Sequence, residues 1–163
     1  VLRRAHSGFI NYFKLGMEHI EGSIDFNPRE ITEDEREYAS NSYLMSLFAL
    51  FIGLPLPIFN LLATVIFYLG NRKSTRFVKW HCTQALISQF AIFFFNTVGF
   101  WWTLAIIFHK QEVSNAYIAY IILILLLNGI EIVSTIYTSI KTRKGIHVRW
   151  FLFSDITDNL LKK

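Results

Sequence analysis

One carboxyl group lies within a long apolar stretch, where its chemistry would be proton binding or helix packing. Glu131 is the only charged residue between positions 113 and 140. Gln89 and Asn60 lie at similar distances from the ends of neighbouring apolar stretches, so the three side chains are predicted to share one layer within a membrane. Two interpretations stay open, namely hydrogen bonds that clamp the helices together and a polar lining for a small transporter or channel.

A second group of polar residues forms a cationic connection that ends in a histidine and a glutamine. Residues 70–85 read GNRKSTRFVKWHCTQA. Its candidate contact residues are Arg72, Lys73, Arg76, Lys79, His81 and Gln84. Basic residues beside an apolar span mark the side of a membrane that the connection does not leave. The alternative is specific contact between residues 71–80 and anionic lipid or a partner.

Neither group has the pattern of a catalytic or metal site. The five histidines are scattered over segments that do not come together in any credible ligand spacing. Cys82 is the only cysteine, which excludes an intramolecular disulfide. Asp155 and Asp158 are predicted on an exposed face of a tail helix, and no nucleophile–base pair or phosphate-binding glycine loop is present. The sequence therefore predicts a protein that is not an enzyme and that binds no cofactor and no metal.

Long uncharged stretches set the fold class. Only 17% of the residues are charged and 53% are hydrophobic, against about 25% charged in ordinary soluble domains. Residues 38–71 and 80–109 contain no Asp, Glu, Lys or Arg, and a span requires about 20 apolar residues. We predict an all-α integral membrane protein, a bundle of three to four membrane helices. The expected partner is the lipid bilayer, and the charge pattern does not indicate that the protein binds nucleic acid.

The chain is predicted to divide into an amphipathic N-terminal helix with a linker, residues 1–31, and a membrane domain, residues 32–163. Thr32 and Glu35 fit a capping box at the start of the first helix of that domain. The membrane segments are predicted at 40–54, 57–70, 82–108 and 116–140, and an interfacial helix at 147–161 with a buried apolar stripe of Ile156, Leu160 and Leu161.

The first apolar region has two possible courses. Gly53, Pro55 and Pro57 interrupt it, and closely spaced prolines break a helix more often than they bend it. The region is either one kinked span or a helical hairpin, and the two differ in the side on which the N-terminus lies. The loop 71–80 and the C-terminus are predicted on the cytoplasmic side in both cases, because cations near span ends stay there.

The residues around the cationic connection resemble a known family. The resemblance covers about residues 33–160, and its matching residues are Glu35, Arg36, Ala39, Tyr68, Arg72, Phe77, Val78, Lys79, Trp80, His81, Gln84, Ala85, Phe153, Ser154, Asp155 and Ile156. They resemble the Tic protein-import subunits of the plastid inner envelope and the uncharacterised bacterial relatives of those subunits.

This resemblance implies a fold, a location and a function. It implies four membrane helices with both ends on the stromal side, which favours the hairpin, although the family has a longer connection there than Gly53–Pro57 allows. It implies a plastid inner envelope or a bacterial inner membrane. It also implies a non-enzymatic subunit of a larger complex, concerned with protein translocation and bound to other membrane proteins.

Overall fold

The regular structure of the described residues is entirely α-helical. The computed structural model describes residues 24, 26–53, 57–110 and 112–162, and within these the side chains of all but 49–53, 57, 59 and 60. Its helices are α1 (Glu33–Gly53), α2 (Pro57–Gly70), α3 (Arg76–His109), α4 (Asn115–Arg143) and α5 (Phe153–Leu161). The all-α prediction is confirmed for these residues, whereas the amphipathic helix predicted at the N-terminus lies outside them.

The first helix begins at the predicted capping box. The backbone N–H of Thr32 donates to Oε2 of Glu35 at 2.7 Å, and the N–H of Glu35 donates to Oγ1 of Thr32 at 3.3 Å. Hydrogen bonds from Thr75 and from Thr32 lower the pKa of the Glu35 carboxyl. An ionised carboxylate is favourable here because the helix dipole is positive at this end.

Helices α1 and α2 form an antiparallel hairpin. Oγ of Ser46 lies 3.1 Å from Oγ1 of Thr64, and Tyr68 packs on the cluster that contains Ala39. Of the two courses open from the sequence, the hairpin therefore occurs. Pro57 suits the first position of α2, where its missing N–H costs no helical hydrogen bond. The 14 residues of α2 span only about 21 Å.

Helices α3 and α4 form a second and longer hairpin. Their 34 and 29 residues span about 51 and 44 Å. Thr103 bonds to Tyr117 at 2.9 Å, and Asn96 and Asn128 exchange two hydrogen bonds of 3.1 and 2.7 Å. Both helices are long and apolar enough to cross a membrane. Since α2 is much shorter, the half of this hairpin nearest the link between α3 and α4, its distal half, extends beyond α2.

The distribution of polar and apolar side chains is the reverse of that in a soluble domain. Among the described residues, 16 polar or charged side chains are buried against 10 hydrophobic ones. Most of the buried polar residues are serines and threonines, which allow helices to approach closely. Thirty large hydrophobic side chains are exposed. Those on the distal half of the α3–α4 hairpin include Phe94, Phe95, Val98, Trp101, Phe108, Ile118, Ile122, Leu125 and Leu126.

The tail departs from the prediction because part of it is not helical. The helix begins at Phe153 and not at 147, since the backbone of residues 148 and 150 bonds to a side chain of α3. Its buried side carries the polar residues Ser154, Thr157 and Asp158. The predicted stripe points outward instead, with Ile156 48% and Leu160 57% exposed.

A glycine with positive φ starts this non-helical segment. Gly145 has φ +75°, and a Cβ atom there would lie 2.8 Å from Nε of Arg36. Gly145→Ala is therefore expected to lower the free energy of unfolding by about 1–2 kcal/mol. Gly129→Ala is the control, because a Cβ atom at Gly129 meets nothing within 4 Å and alanine favours a helix by up to about 1 kcal/mol.

Chemical unfolding of both alanine variants in mixed micelles measures the difference. Equal stability of the two variants would contradict the proposed strain at Gly145.

Candidate functional site

A buried amide on α3 joins three parts of the chain. Gln84 is 0% exposed. Its Oε1 accepts a hydrogen bond from the backbone N–H of Trp150 at 3.1 Å. Its Nε2 donates to the hydroxyl of Tyr43 at 2.9 Å and to the carbonyl of Val148 at 3.2 Å. Because a backbone N–H can only donate, the bond from Trp150 fixes which end of the amide faces Tyr43.

A histidine one turn earlier continues this network. His81 is also 0% exposed, and its Nδ1 lies 2.9 Å from the hydroxyl of Tyr43. The same hydroxyl accepts from Gln84. Nε2 of His81 lies 3.2 Å from Nδ1 of His147. Both ring nitrogens of His81 are thus within hydrogen-bond distance of other side chains.

An ion pair closes the same region from the side of α5. Asp158 is 3% exposed and accepts from the indole N–H of Trp80 at 2.7 Å. Its other oxygen accepts from Nη2 of Arg149 at 2.7 Å, and the guanidinium lies 5.8 Å from the Trp80 ring. Asp155 lies 3.4 Å from the same nitrogen but is 78% exposed. The prediction that Asp158 is exposed is wrong, because this carboxylate binds α3 and the segment before α5.

The predicted intramembrane layer is assembled in part. Oε1 of Glu131 accepts from Oγ of Ser88 at 3.0 Å and from Nε2 of Gln89 at 2.7 Å. A cavity of about 10 Å³ beside them has space for about one water molecule. Asn60 lies in α2, but its side chain is outside the described residues. Within the described part, the layer packs as a hydrogen-bonded clamp between α3 and α4.

The candidate contact residues separate into two sets. Arg72, Lys73 and Arg76 are exposed and Lys79 is partly buried, so these side chains face the surroundings of the chain. His81 and Gln84 are fully buried and contact other parts of this chain. In the described residues, no group of three or more His, Cys, Asp or Glu side chains is arranged to hold a metal ion.

Sequence reasoning missed several members of the network, namely Tyr43, His147, Arg149, Trp150 and Asp158. Four of these lie in the tail, far along the chain from the α3 residues that they bind. The one signal available was the one-turn spacing of His81 and Gln84, which places both on one face of α3 but does not say what covers that face.

A protein-family model matches most of the chain. It is described as the magnetosome magnetite crystal formation protein family (MamF/MmsF), and it matches residues 34–155 of the 163. No curated protein and no solved structure matches the chain.

This match corrects the function expected from the sequence. The resemblance to the Tic import subunits is wrong, and with it the expected role in protein translocation. The match supports a magnetosome membrane location and gives no support to a plastid one. The alternative prediction of a small transporter or channel is contradicted as well, because the description of the matched family names magnetite crystal formation. The match covers the four main helices, the non-helical segment and the start of α5. It spans well over half of the sequence, so the chain belongs to the magnetosome magnetite crystal formation protein family.

Proposed function

We propose that this chain acts in magnetite crystal formation as an integral membrane protein of the magnetosome, without catalytic activity of its own. The family match supports the role in magnetite crystal formation. The observation that carries the membrane placement is the burial pattern, in which small polar side chains lie inside and large apolar ones outside. Such a surface is unfavourable in water, whereas lipid covers it at no cost and leaves small residues to pack the helices.

In this proposal α3 and α4 each cross the membrane once. Most of the cations next to these helices lie at one end of the hairpin, where α3 begins at Arg76 and α4 ends at Arg143. The link at the other end contains Lys110 and Glu112, one charge of each sign. Cations near span ends stay in the cytoplasm. The link therefore faces the interior of the magnetosome, and the loop 71–80 and the C-terminus face the cytoplasm.

The absence of catalysis is proposed from how the buried polar groups are used. The carboxyl group of Glu131 accepts bonds from Ser88 and Gln89 beside a very small cavity. Both ring nitrogens of His81 are within hydrogen-bond distance of other side chains. These groups bind one another across helices, which favours a role in fixing the helix arrangement over a role in transforming a substrate.

Two kinds of partner follow from the surface. The exposed side chains of Arg72, Lys73 and Arg76 lie at the cytoplasmic end of the proposed spans, where they suit anionic lipid headgroups. The exposed apolar surface of α3 and α4 also suits contact with other membrane proteins of the magnetosome. Both are tested by purification in mild detergent followed by analysis of the lipids and proteins that remain bound.

The proposed function is tested by the size and number of crystals in a magnetosome-forming host. Deleting the gene is expected to change the crystals seen by electron microscopy, and a copy with the wild-type sequence is expected to restore them. Glu131→Gln is expected to restore them equally, because the amide oxygen can still accept the bonds from Ser88 and Gln89.

Two results would contradict the proposal in different ways. Crystals that are unchanged after deletion would exclude a role in their formation. A Glu131→Gln protein that folds normally but fails to restore the crystals would show that the carboxyl group takes part in chemistry, against the non-catalytic role.

A further inference from the structure

We propose that residues 145–161 form a re-entrant element, which enters the lipid from the cytoplasmic side and returns to that side without crossing. Its tip, Phe151 and Leu152, inserts among the acyl chains. This inference depends on the proposed membrane placement of α3 and α4. It adds a lipid contact that the lengths of the apolar stretches do not indicate, since the apolar stretch of the tail is far too short to span a membrane.

The first half of the element runs along α3, away from the cationic end. His147 lies 3.2 Å from His81, and the backbone N–H of Trp150 lies 3.1 Å from Gln84. Later residues of the element therefore meet later residues of α3. Gln84 follows Arg76 by eight residues, which places the level of Trp150 about 12 Å from the start of α3.

The second half returns toward the cationic end. The backbone N–H of Ser154 donates to the carbonyl of Trp150 at 2.9 Å, which closes the turn into α5. Asp158 then meets Trp80 at 2.7 Å, one turn closer to the start of α3 than Gln84. The tip of the element thus lies at its greatest distance from the cationic end, and both of its ends lie on one side.

The tip is apolar and almost uncovered. Phe151 is 91% and Leu152 66% exposed. On α5, Ile156 and Leu160 are exposed, while Asp158 faces the interior of the bundle. A short amphipathic helix at the membrane interface has its apolar side about 5–10 Å into the boundary between headgroups and acyl chains. The distance along α3, about 12 Å, is slightly greater than that range.

Two backbone groups of the non-helical segment at this depth bond to a side chain of α3. Irregular backbone is tolerated within a membrane only where protein or water binds its N–H and C=O groups. The side chain of Gln84 supplies both an acceptor and a donor, because its amide accepts from the Trp150 N–H and donates to the Val148 carbonyl. The indole N–H of Trp150 donates to Thr138 at 2.6 Å. This explains why a glutamine is fully buried at position 84.

The position of the tip next to α4 favours lipid over a partner protein as the occupant. The bond from Trp150 holds the tip beside Thr138 of α4, and α4 has exposed apolar residues at the same height, Ile136 and Ile140 among them. The lipid proposed to surround α4 is therefore close to the tip. The cations Arg143 and Lys144 precede the element, which places positive charge at the headgroup level above it.

The test is fluorescence quenching of single labelled cysteines on the purified chain in lipid vesicles, in a Cys82→Ala background. Phe151→Cys reports the tip, Leu125→Cys reports the distal half of α4, and Lys144→Cys reports the cytoplasmic surface. We expect iodide in the water to quench the label at position 151 several-fold less than the label at 144. We also expect lipids with a nitroxide high on the acyl chain to quench the label at 151.

The outcomes separate this inference from the proposed function. Strong iodide quenching at 151 together with a shielded label at 125 would overturn the re-entrant element and leave the membrane placement intact. Shielding at 151 from both iodide and nitroxide lipid would mean that a second copy of the chain covers the tip, which also overturns it. Iodide quenching at 125 would contradict the membrane placement, and the re-entrant element would be excluded with it.

Discussion

Replacing Asp158 with alanine is expected to lower the free energy of unfolding by about 2–4 kcal/mol. The carboxylate is 3% exposed and bonds to the Trp80 indole and the Arg149 guanidinium, both at 2.7 Å. Without it, the guanidinium loses its shortest ion pair and the indole N–H loses its acceptor. Arg149 is 25% exposed, so water relieves part of this cost, and the estimate lies below that for a fully buried pair.

Asp155→Ala is the matched control for this prediction. Asp155 is on the same helix and meets the same guanidinium nitrogen, but at 3.4 Å and with 78% of its side chain exposed. Exposed ion pairs contribute about 0–1 kcal/mol, so this variant should unfold almost as the wild type does. Chemical unfolding in mixed micelles measures both variants, and equal losses would contradict the assignment of Asp158 as the buried member.

Replacing Gln84 with leucine is expected to cost about 3–5 kcal/mol, because the Trp150 N–H, the Val148 carbonyl and the Tyr43 hydroxyl all lose a partner, and each unsatisfied group costs about 1–3 kcal/mol. The three costs do not add fully, since the segment can shift toward other partners. A leucine of similar volume keeps the packing, so the loss reports the hydrogen bonds.

The control for Gln84→Leu is Thr83→Val, at the adjacent position. Thr83 is buried, but its hydroxyl donates to the carbonyl of Lys79 within the same helix, so its loss disturbs no other segment. We expect a cost of about 1 kcal/mol or less for this variant. Limited proteolysis gives a second readout, because only Gln84→Leu should expose residues 146–152. Cleavage that is equal in the two variants would contradict the role of Gln84 in holding this segment.

The helices could be predicted from local patterns. Apolar stretches longer than 20 residues with at most one charged residue predict α3 and α4, and the spacing of Thr32 and Glu35 predicts the start of α1. Proline at 57 allowed two courses for the first region. Only the contacts of Ser46 and Tyr68 with the neighbouring helix distinguish them, and such contacts join residues that are distant in the sequence.

Which side of the tail helix is buried could not be predicted from the sequence of the tail. An apolar side with Ile156 and Leu160 normally faces the interior of a protein, yet here it faces outward. Asp158 is buried only because Trp80 and Arg149 bind it. The burial of His81 and Gln84 likewise depends on a segment more than 60 residues away.

The error about the family has a physical reason. The resemblance depended on residues such as Phe77, Val78, Trp80 and Gln84, and all four are buried. Buried residues at the start of α3 describe how the helices pack, and one packing arrangement can occur in proteins of unrelated function. A motif made of such residues therefore indicates a similar fold more strongly than it indicates a similar function.

The accessibility of single cysteines from each side of the magnetosome membrane tests the central claim most directly. A membrane-impermeant maleimide is applied to intact magnetosomes that contain Lys73→Cys, Lys144→Cys or Glu112→Cys in a Cys82→Ala background. We predict that positions 73 and 144 react at once, and that position 112 reacts only after the membrane is opened by detergent. Labelling of all three before detergent, or protection of either 73 or 144, would contradict a hairpin of two crossings with its cations in the cytoplasm.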